Sequence, residues 1–442
     1  MGASHPQSHS VAARLSCAMA FFCICLMISV WPLWLRSPAE LVQIPWLSVL
    51  CGVPGWVDRL ALIILGFGLI LLLFIPDPSI HSKPASLPVD SHQTFPPARG
   101  RTVGLLCFVI SLGVLTALDQ HRFQPWVCQF LLLGLLLLLA PGPRCGSLCR
   151  ILVVSIYFWS GVSKLDAAFL VSHGQLLLSG MLAPLGIETT YWAPRTRELL
   201  TLLFPLGEVA VGICLLFRWT EKIGLAASLC MHLLLIWTLG LGLHHEWSVL
   251  IWNAYFIVQN LILFRAPFWG GAAVSREESS AIRNVSQFWW RAALGWTGLA
   301  ICYPALELIG YCDHWPAWAV YSARPAQVRI RINESALAGL PEHLRPFLGS
   351  PQPLEEAVPF RLEAWSFQTC GSPVYPQTRY RLALALALLE PVLPKNAWNV
   401  EIRETPDRFT GKRETILLQG ATMVNEYCRH FWGNTHRRLT RN

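Results

Sequence analysis

Nine apolar runs recur along the first 310 residues, and polar or proline-containing segments separate them. A helix needs about 20 predominantly apolar residues to cross the hydrocarbon core of a bilayer. Most of the runs approach that length, although the second, fourth and fifth are shorter. The pattern predicts nine transmembrane helices, over residues 15–33, 60–75, 102–118, 125–140, 151–164, 199–217, 223–243, 247–264 and 292–310.

Residues 311–442 follow a different pattern, with many Arg, Glu and Pro residues and no run that could span a membrane. Residues 328–332 alternate strictly between apolar and polar side chains, as a half-buried strand does. Residues 379–389 favour a short helix, with a strand as the alternative. We therefore predict a mainly α fold: a polytopic helix bundle over residues 1–310 and a small extracytoplasmic α+β domain over residues 311–442. The sequence leaves open whether Cys370 and Cys428 pair in that domain.

The composition supports a membrane protein whose partner is the lipid bilayer. Hydrophobic residues make up 54% of the chain and charged residues only 14%, whereas soluble domains carry about a quarter charged residues. The net charge of +8 does not indicate nucleic-acid binding, because much of it lies in short loops, where basic residues set the orientation of the helices.

The basic residues divide unevenly between the two sets of loops. With an inner N-terminus, twelve lie in cytoplasmic loops: Arg14, Lys83, Arg99, Arg101, Arg144, Arg150, Arg218, Lys222, Arg265, Arg276, Arg283 and Arg291. Six lie in the opposite loops: Arg36, Arg59, Arg122, Lys164, Arg195 and Arg197. Cytoplasmic loops retain Lys and Arg. We therefore predict an inner N-terminus, an outer C-terminal domain and, in a bacterial host, the cytoplasmic membrane.

Ionisable side chains at membrane depth are the candidate functional residues. Lys164 ends the fifth run, Glu208 lies in the middle of the sixth, and His232 lies near the middle of the seventh. Charges facing lipid are costly, so these side chains are expected to face the interior of the bundle. Lys164 taken alone favours the ordinary interpretation, in which its ammonium reaches the headgroups.

The eighth run adds Asn253, with Gln259 and Asn260 deeper in the same run. The ordinary interpretation of these amides is interhelical hydrogen bonding between the sixth, seventh and eighth spans. We expect Glu307, near the end of the ninth run, to reach the membrane surface. His244, His245 and Glu246 are adjacent and do not have the spacing of a zinc site, so the sequence predicts no metal.

The chemistry of the three ionisable residues is compatible with catalysis. A desolvated lysine can have a lowered pKa and act as a base. A neutral histidine can orient a substrate oxygen or relay a proton, and a buried carboxylate can adjust both. A pocket between apolar helices suits a hydrophobic substrate such as a quinone.

Four segments in order resemble the vitamin K-dependent γ-carboxylase family and its bacterial relatives with the horizontally transferred transmembrane domain. Residues 157–166 (YFWSGVSKLD) resemble the signature YFxxGVxKLDA. The second and third segments are Glu208 with Gly212, in place of an Asp-x-x-x-Gly stretch, and the IGL of residues 223–225 with His232 downstream. The last is residues 318–324 (WAVYSAR), which lead into the strand at residue 328. The resemblance covers residues 119–332.

The resemblance implies that Lys164 is the base that deprotonates a reduced quinone of the vitamin K type, and that His232 lies near it. Two departures limit this. Cys128 and Gln129 stand where the carboxylases carry an Asn-His pair, and the outer domain is much smaller than theirs.

The leading hypothesis is therefore a quinol-dependent or lipid-ligand-dependent enzyme, carboxylase-like or a quinol-linked oxidoreductase. Lys164, His232 and Glu208 would be catalytic, and Tyr157 and Asn253 would contact the ligand. The alternative is a non-catalytic membrane scaffold that presents the extracytoplasmic domain to a partner.

Overall fold

The computed structural model describes residues 7–36, 41–75, 97–140, 144–265, 283–351 and 355–438. Within these ranges the bundle contains α1 Gln7–Ser29, α2 Trp31–Leu35, α3 Trp56–Phe74, α4 Pro97–Leu118, α5 Pro125–Leu139, α6 Arg144–Lys164, α7 Ala167–Val171, α8 His173–Leu182, α9 Pro194–Leu216, α10 Glu221–Trp237, α11 Trp247–Phe264 and α12 Arg283–Cys302. A π-helical segment, Thr238–Gly242, extends α10, and a 3₁₀ segment, Tyr303–Ile309, extends α12.

The predicted polytopic bundle is confirmed. In the described part of the chain, eight helices are long and apolar enough to cross a membrane: α1, α3, α4, α6, α9, the extended α10, α11 and the extended α12. The remaining predicted span corresponds to α5, an apolar helix of 15 residues. The broken segment after residue 164 forms the short helices α7 and α8. The helix α9 begins earlier than predicted, because Pro194 at its first turn is suited to starting a helix.

The helices α6 and α9 pack closely because glycines lie at their contact. A Cβ added to Gly161 would lie 2.6 Å from a methyl group of Val209 and 2.7 Å from the carbonyl oxygen of Pro205. A Cβ added to Gly212 would lie 3.3 Å from the Cβ of Tyr157. Small residues let helix backbones approach each other in membranes. This approach brings the end of α6 against the middle of α9.

The C-terminal region forms a four-stranded antiparallel sheet with helices on one face. Its strands are β1 Gln327–Asn333, β2 Ala357–Phe360, β3 Trp398–Arg403 and β4 Thr415–Gln419, in the order β2-β1-β3-β4. Val328, Ile330 and Ile332 are buried and alternate with more exposed residues, which confirms the predicted half-buried strand. The helices are α13 Leu362–Cys370, α14 Thr378–Leu389 and α15 Gly420–Cys428. Residues 379–389 are therefore helical, as favoured.

The C-terminal region packs on one side of the bundle. Its contacts lie at the end of α1, the start of α3, the end of α4 and the end of α6, through the residue pairs Gly371 with Val30, Arg438 with Asp58, Pro373 with His121, and Arg408 with Val162. Helices that alternate in direction bring these ends to the same side. The side of the membrane that the region occupies stays a prediction.

Two expectations for residues near this region are resolved. Glu307 is buried within the protein: its side chain is 3% exposed and pairs with Arg324 and Arg408. The sequence did not indicate this pairing, because both cations are distant in sequence. Cys370 and Cys428 are both buried, and both are free thiols.

Candidate functional site

Lys164 forms a buried ion pair with Glu208. Its ammonium nitrogen lies 2.8 Å from Oε2 and 3.1 Å from Oε1 of the carboxylate. The same nitrogen donates to the hydroxyl of Ser160, at 2.7 Å, and lies 3.1 Å from the backbone carbonyl of Ser160. The Lys164 side chain is 4% exposed and that of Glu208 is 13% exposed. Lys164 therefore points into the contact between α6 and α9, where charge compensation explains its burial.

A second polar cluster contains His232. Its Nδ1 lies 2.8 Å from Oδ1 of Asn253, and its Nε2 lies 2.7 Å from the hydroxyl of Tyr157. Asn253 Nδ2 donates to the carbonyl of Val249, so its Oδ1 must accept. Nδ1 of His232 therefore carries a proton, and Nε2 accepts from Tyr157 in the neutral imidazole. One backbone carbonyl thus sets the tautomer of a buried histidine.

Asn260 and Ser228 complete this second cluster. Because Tyr157 donates its proton to His232, its oxygen accepts from Asn260 Nδ2 at 2.6 Å. The same Nδ2 lies 3.2 Å from the hydroxyl of Ser228. The Oδ1 of Asn260 is buried and has no hydrogen-bond partner among the described residues. Asn260 therefore links α6, α10 and α11, whereas the sequence predicted amide bonds among the sixth, seventh and eighth spans, which are α9, α10 and α11. Its Oδ1 is left as an available acceptor.

The five predicted site residues thus lie in two clusters and do not converge on a single point. Tyr157 and Lys164 are seven positions apart on one face of α6, which separates their backbones by roughly 10 Å along the axis. The two clusters are neighbours at different depths. Aromatic stacking stabilises the second, since the His232 and Phe256 rings are 4.6 Å apart and nearly parallel.

Ser160 and Ser228 were not predicted from the sequence. Ser160 is one turn before Lys164 on the same helix, a spacing at which side chains are neighbours. Ser228 is likewise one turn before His232. Neither serine stood out, because hydroxyl groups can hydrogen-bond their own helix and need no interhelical partner.

The position that departs from the carboxylase pattern is also polar in the structure. Gln129 Nε2 donates to Oε1 of Gln259 at 2.9 Å, and Trp252 Nε1 donates to Oε1 of Gln129 at 2.7 Å. Gln129 and Gln259 are fully buried. At this position an uncharged amide therefore joins α5 to α11.

The C-terminal region approaches the lysine end of α6 through the loop between β3 and β4. The Ala167 amide donates to the carbonyl of Arg408 at 2.8 Å. The guanidinium of Arg408 donates to the carbonyl of Val162 at 3.3 Å, which satisfies one of the last carbonyls of the helix. The loop therefore covers the turn that follows Lys164.

Gln120 and His121, which lie between α4 and α5, connect the two regions elsewhere. Gln120 donates to Pro45 and Asn434 carbonyls, and His121 Nε2 lies 2.8 Å from the carbonyl of Pro373. Burial lowers the pKa of His121 to about 4. Burial also raises the pKa of Asp119 to about 6, although Arg122 opposes that shift.

Comparisons with known proteins give one match. The model of the family described as methylamine utilisation protein MauE matches residues 142–249, about a quarter of the chain. The match contains Lys164, Glu208 and His232. No curated protein and no solved structure matches. This family differs from the carboxylases, so the carboxylase resemblance stays a prediction. The helices and the family match together identify the chain as an integral membrane protein that is similar to MauE over this region.

Proposed function

We propose that the bundle binds a lipid-soluble weak acid of the hydroquinone class between α6, α9, α10 and α11, and that Lys164 takes the proton from its hydroxyl group. The buried Lys164–Glu208 pair carries this proposal. It lies on the same face of α6 as the neutral Tyr157–His232 cluster. A lysine whose ammonium extends to the lipid headgroups would be neither buried nor paired with a carboxylate inside the bundle.

Every proton that moves in such a step has a donor and an acceptor. As an ion pair, Lys164 is an ammonium and Glu208 a carboxylate. Transfer of one proton along their hydrogen bond leaves an amine and a carboxylic acid, both uncharged, which a site of low dielectric tolerates better than separated charges. The amine then accepts the hydroxyl proton of the ligand and becomes an ammonium again, and the ligand becomes an anion beside it.

The second cluster would orient the ligand. Asn260 Oδ1 is an available acceptor, and a hydroquinone has a second hydroxyl group to donate to it. His232 acts through Tyr157, because its Nδ1 proton is engaged by Asn253. Both predicted contact residues, Tyr157 and Asn253, thus serve to hold the histidine in one tautomer.

The test uses reconstituted protein and a reduced naphthoquinone as the probe. It compares the turnover, meaning the protein-dependent removal of the hydroxyl proton from the probe, and the thermal stability of the protein with and without the probe. A ligand that binds only the folded state stabilises it by about 2.7 kcal/mol at a hundred times its Kd. We expect Lys164→Ala to abolish turnover and Asn260→Leu to reduce the thermal shift. Lys222→Ala, at the start of α10, is the matched control. Unchanged turnover in Lys164→Ala would show that the lysine is not the base.

A non-catalytic scaffold is the second candidate, and one observation favours it. Every hydrogen-bond donor of Lys164 has a partner within the bundle, in Ser160 or Glu208. A scaffold uses such a pair to join helices and displays the C-terminal domain to a partner protein. It predicts no thermal shift with the naphthoquinone and full retention of folding in Lys164→Arg.

A further inference from the structure

The orientation of two buried amides in the bundle is set by a tryptophan. The indole nitrogen of Trp252 can only donate, so the atom of Gln129 that it contacts is the carbonyl oxygen. Gln129 then presents its amide nitrogen to Gln259, whose oxygen must accept. The amide nitrogen of Gln259 is left with two protons and no partner among the described residues, and its side chain is fully buried.

A second group without a partner lies one turn away on the same face of α11. Tyr255 precedes Gln259 by four positions, which places both side chains on one side of the helix. Its hydroxyl is fully buried and has no hydrogen-bond partner among the described residues. The ring is held between Phe22 of α1, at 5.5 Å, and Phe130 of α5, at 4.7 Å.

Two such donors are costly at this depth. No water is available in the hydrocarbon region to satisfy a polar group from the lipid side. A buried donor without a partner loses its hydration and gains nothing in return. Phe at position 255 and Leu at position 259 would avoid that cost, so the presence of these polar groups calls for an acceptor between them.

We propose that Tyr255 and Gln259 together hold one uncharged acceptor oxygen. The amide nitrogen can only donate and the tyrosine hydroxyl can donate, so the pair suits an oxygen that accepts two hydrogen bonds. A carbonyl oxygen of a lipid-soluble quinone and a buried water molecule both supply that chemistry. The quinone source rests on the function proposed above, whereas the water source does not.

This acceptor site adjoins the His232 cluster through shared aromatic rings. Phe256 stacks on His232 at 4.6 Å and lies 5.3 Å from the Trp252 ring. Trp252 in turn holds Gln129, which holds Gln259. The acceptor site and the His232 cluster are therefore connected through the side chains of α11.

The experiment uses the purified full-length chain and two variants, Tyr255→Phe and Gln259→Leu, with oxidised naphthoquinone as the probe. Thr116→Val is the control, because Thr116 is also buried and bonds only within its own helix. We measure the midpoint of thermal unfolding with and without the probe. Gln259→Leu also leaves Gln129 without its acceptor, so only the response to the probe is interpreted for that variant.

Each outcome assigns the occupant or rejects the site. A probe-induced rise that both variants lose, and that Thr116→Val keeps, supports a carbonyl oxygen. No rise, together with a midpoint about 1–2 °C lower in Tyr255→Phe than in wild type, supports a buried water. A midpoint that is unchanged or higher in Tyr255→Phe, with no probe response, overturns the proposal, because removing an unsatisfied hydroxyl relieves its cost. A rise that both variants retain also overturns it.

The variant Lys164→Ala separates this inference from the proposed function. Persistence of the probe response in Lys164→Ala, with loss of turnover, supports both. A probe response lost only in Tyr255→Phe and Gln259→Leu, with turnover unaffected by Lys164→Ala, supports the acceptor site and rejects the lysine base.

Discussion

Two buried ion-pair clusters in this protein are built from different cations. At the junction with the C-terminal region, Asp58 pairs with Arg122, at 2.6 Å, and with Arg438, and both arginine side chains are fully buried. In the bundle, Glu208 pairs with one cation among the described residues, Lys164. Arg438 also donates to Gln43 and to the carbonyls of Val53 and Pro54. The Asp58 cluster therefore has more ion-pair and hydrogen-bond partners than the Lys164–Glu208 pair.

The difference in cation decides what each cluster can do. Arginine stays charged at any physiological pH, whereas a buried lysine can lose its proton. The Asp58 cluster is therefore suited to fastening the chain's last described residues to the first helices. In the function proposed above, the Lys164–Glu208 pair exchanges a proton instead. Both clusters are buried, so burial by itself does not distinguish an ion pair that stabilises the fold from one in a reactive site.

The strongest test of the fastening role is Asp58→Asn, which leaves two buried arginines without their carboxylate. We expect a loss of about 4–5 kcal/mol in the free energy of unfolding, because breaking a buried pair leaves an uncompensated charge. The unfolding midpoint of purified protein measures it. Glu342→Gln, at an exposed carboxylate, is the control. Equal small effects in the two variants would show that the cluster does not fasten the fold.

The Lys164–Glu208 pair is tested by a double-mutant cycle. Lys164→Met and Glu208→Leu should each cost about 3 kcal/mol, because each leaves one charge unpaired. The double variant should recover most of that loss, since both charges are gone. Lys164→Arg should keep the stability and lose the turnover. Independent, additive losses in the double variant would mean that the two side chains do not form a pair.

The junction also has a pH dependence with two opposing parts. The pKa of His121 falls from 6.5 to about 4, so its stability contribution is present above pH 6.5 and is lost as the pH falls towards 4. The pKa of Asp119 rises from 3.8 to about 6, so its contribution is present below 3.8 and is lost as the pH rises through 6. Each is worth about 3 kcal/mol, so the wild type should change little.

A variant that lacks one of the two titrating groups should show the pH dependence that the other group contributes to stability. On acidification from pH 6.5 to 4, we expect Asp119→Asn to lose stability through His121, and His121→Gln to gain stability through Asp119. Unfolding midpoints measured across this range in one detergent give both slopes. Slopes of the same sign in the two variants would contradict the assignment of opposite shifts.

The smallest expected effect concerns the helix contact that brings Lys164 to Glu208. Gly161→Ala should cost about 1–3 kcal/mol, because the added methyl meets Val209 and Pro205 at 2.6–2.7 Å and separates α6 from α9. Gly113→Ala is the matched control, since nothing lies within 4 Å of a Cβ there. A similar result for both variants would show that the close approach is not needed.

Much of the architecture followed from the sequence. The apolar runs gave the helices because a spanning segment must satisfy its own backbone hydrogen bonds. The alternation at residues 328–332 gave β1, because one face of a strand is buried. The start of α9 at Pro194 lies before the predicted residue 199, since a polar turn can extend an apolar helix.

The site was predictable only in part. Lys164, Glu208 and His232 stood out because ionisable groups are rare at membrane depth. Their separation into two clusters was not predictable, because it depends on the rotation of α9 and α10 against α6. The pairing of Glu307 was not predictable either, because its partners Arg324 and Arg408 belong to the C-terminal region.

The sequence by itself determined that this is a membrane-spanning helix bundle with a small α+β region, and which side chains are costly to bury. Hydrophobic length and period are local properties, so no tertiary contact is needed to see them. Only the tertiary structure decided that Lys164 pairs with Glu208, that Tyr157 donates to His232, and that Asp58 fastens the C-terminal segment. Those partners are distant along the chain, and hydrogen-bond geometry exists only once the helices have packed.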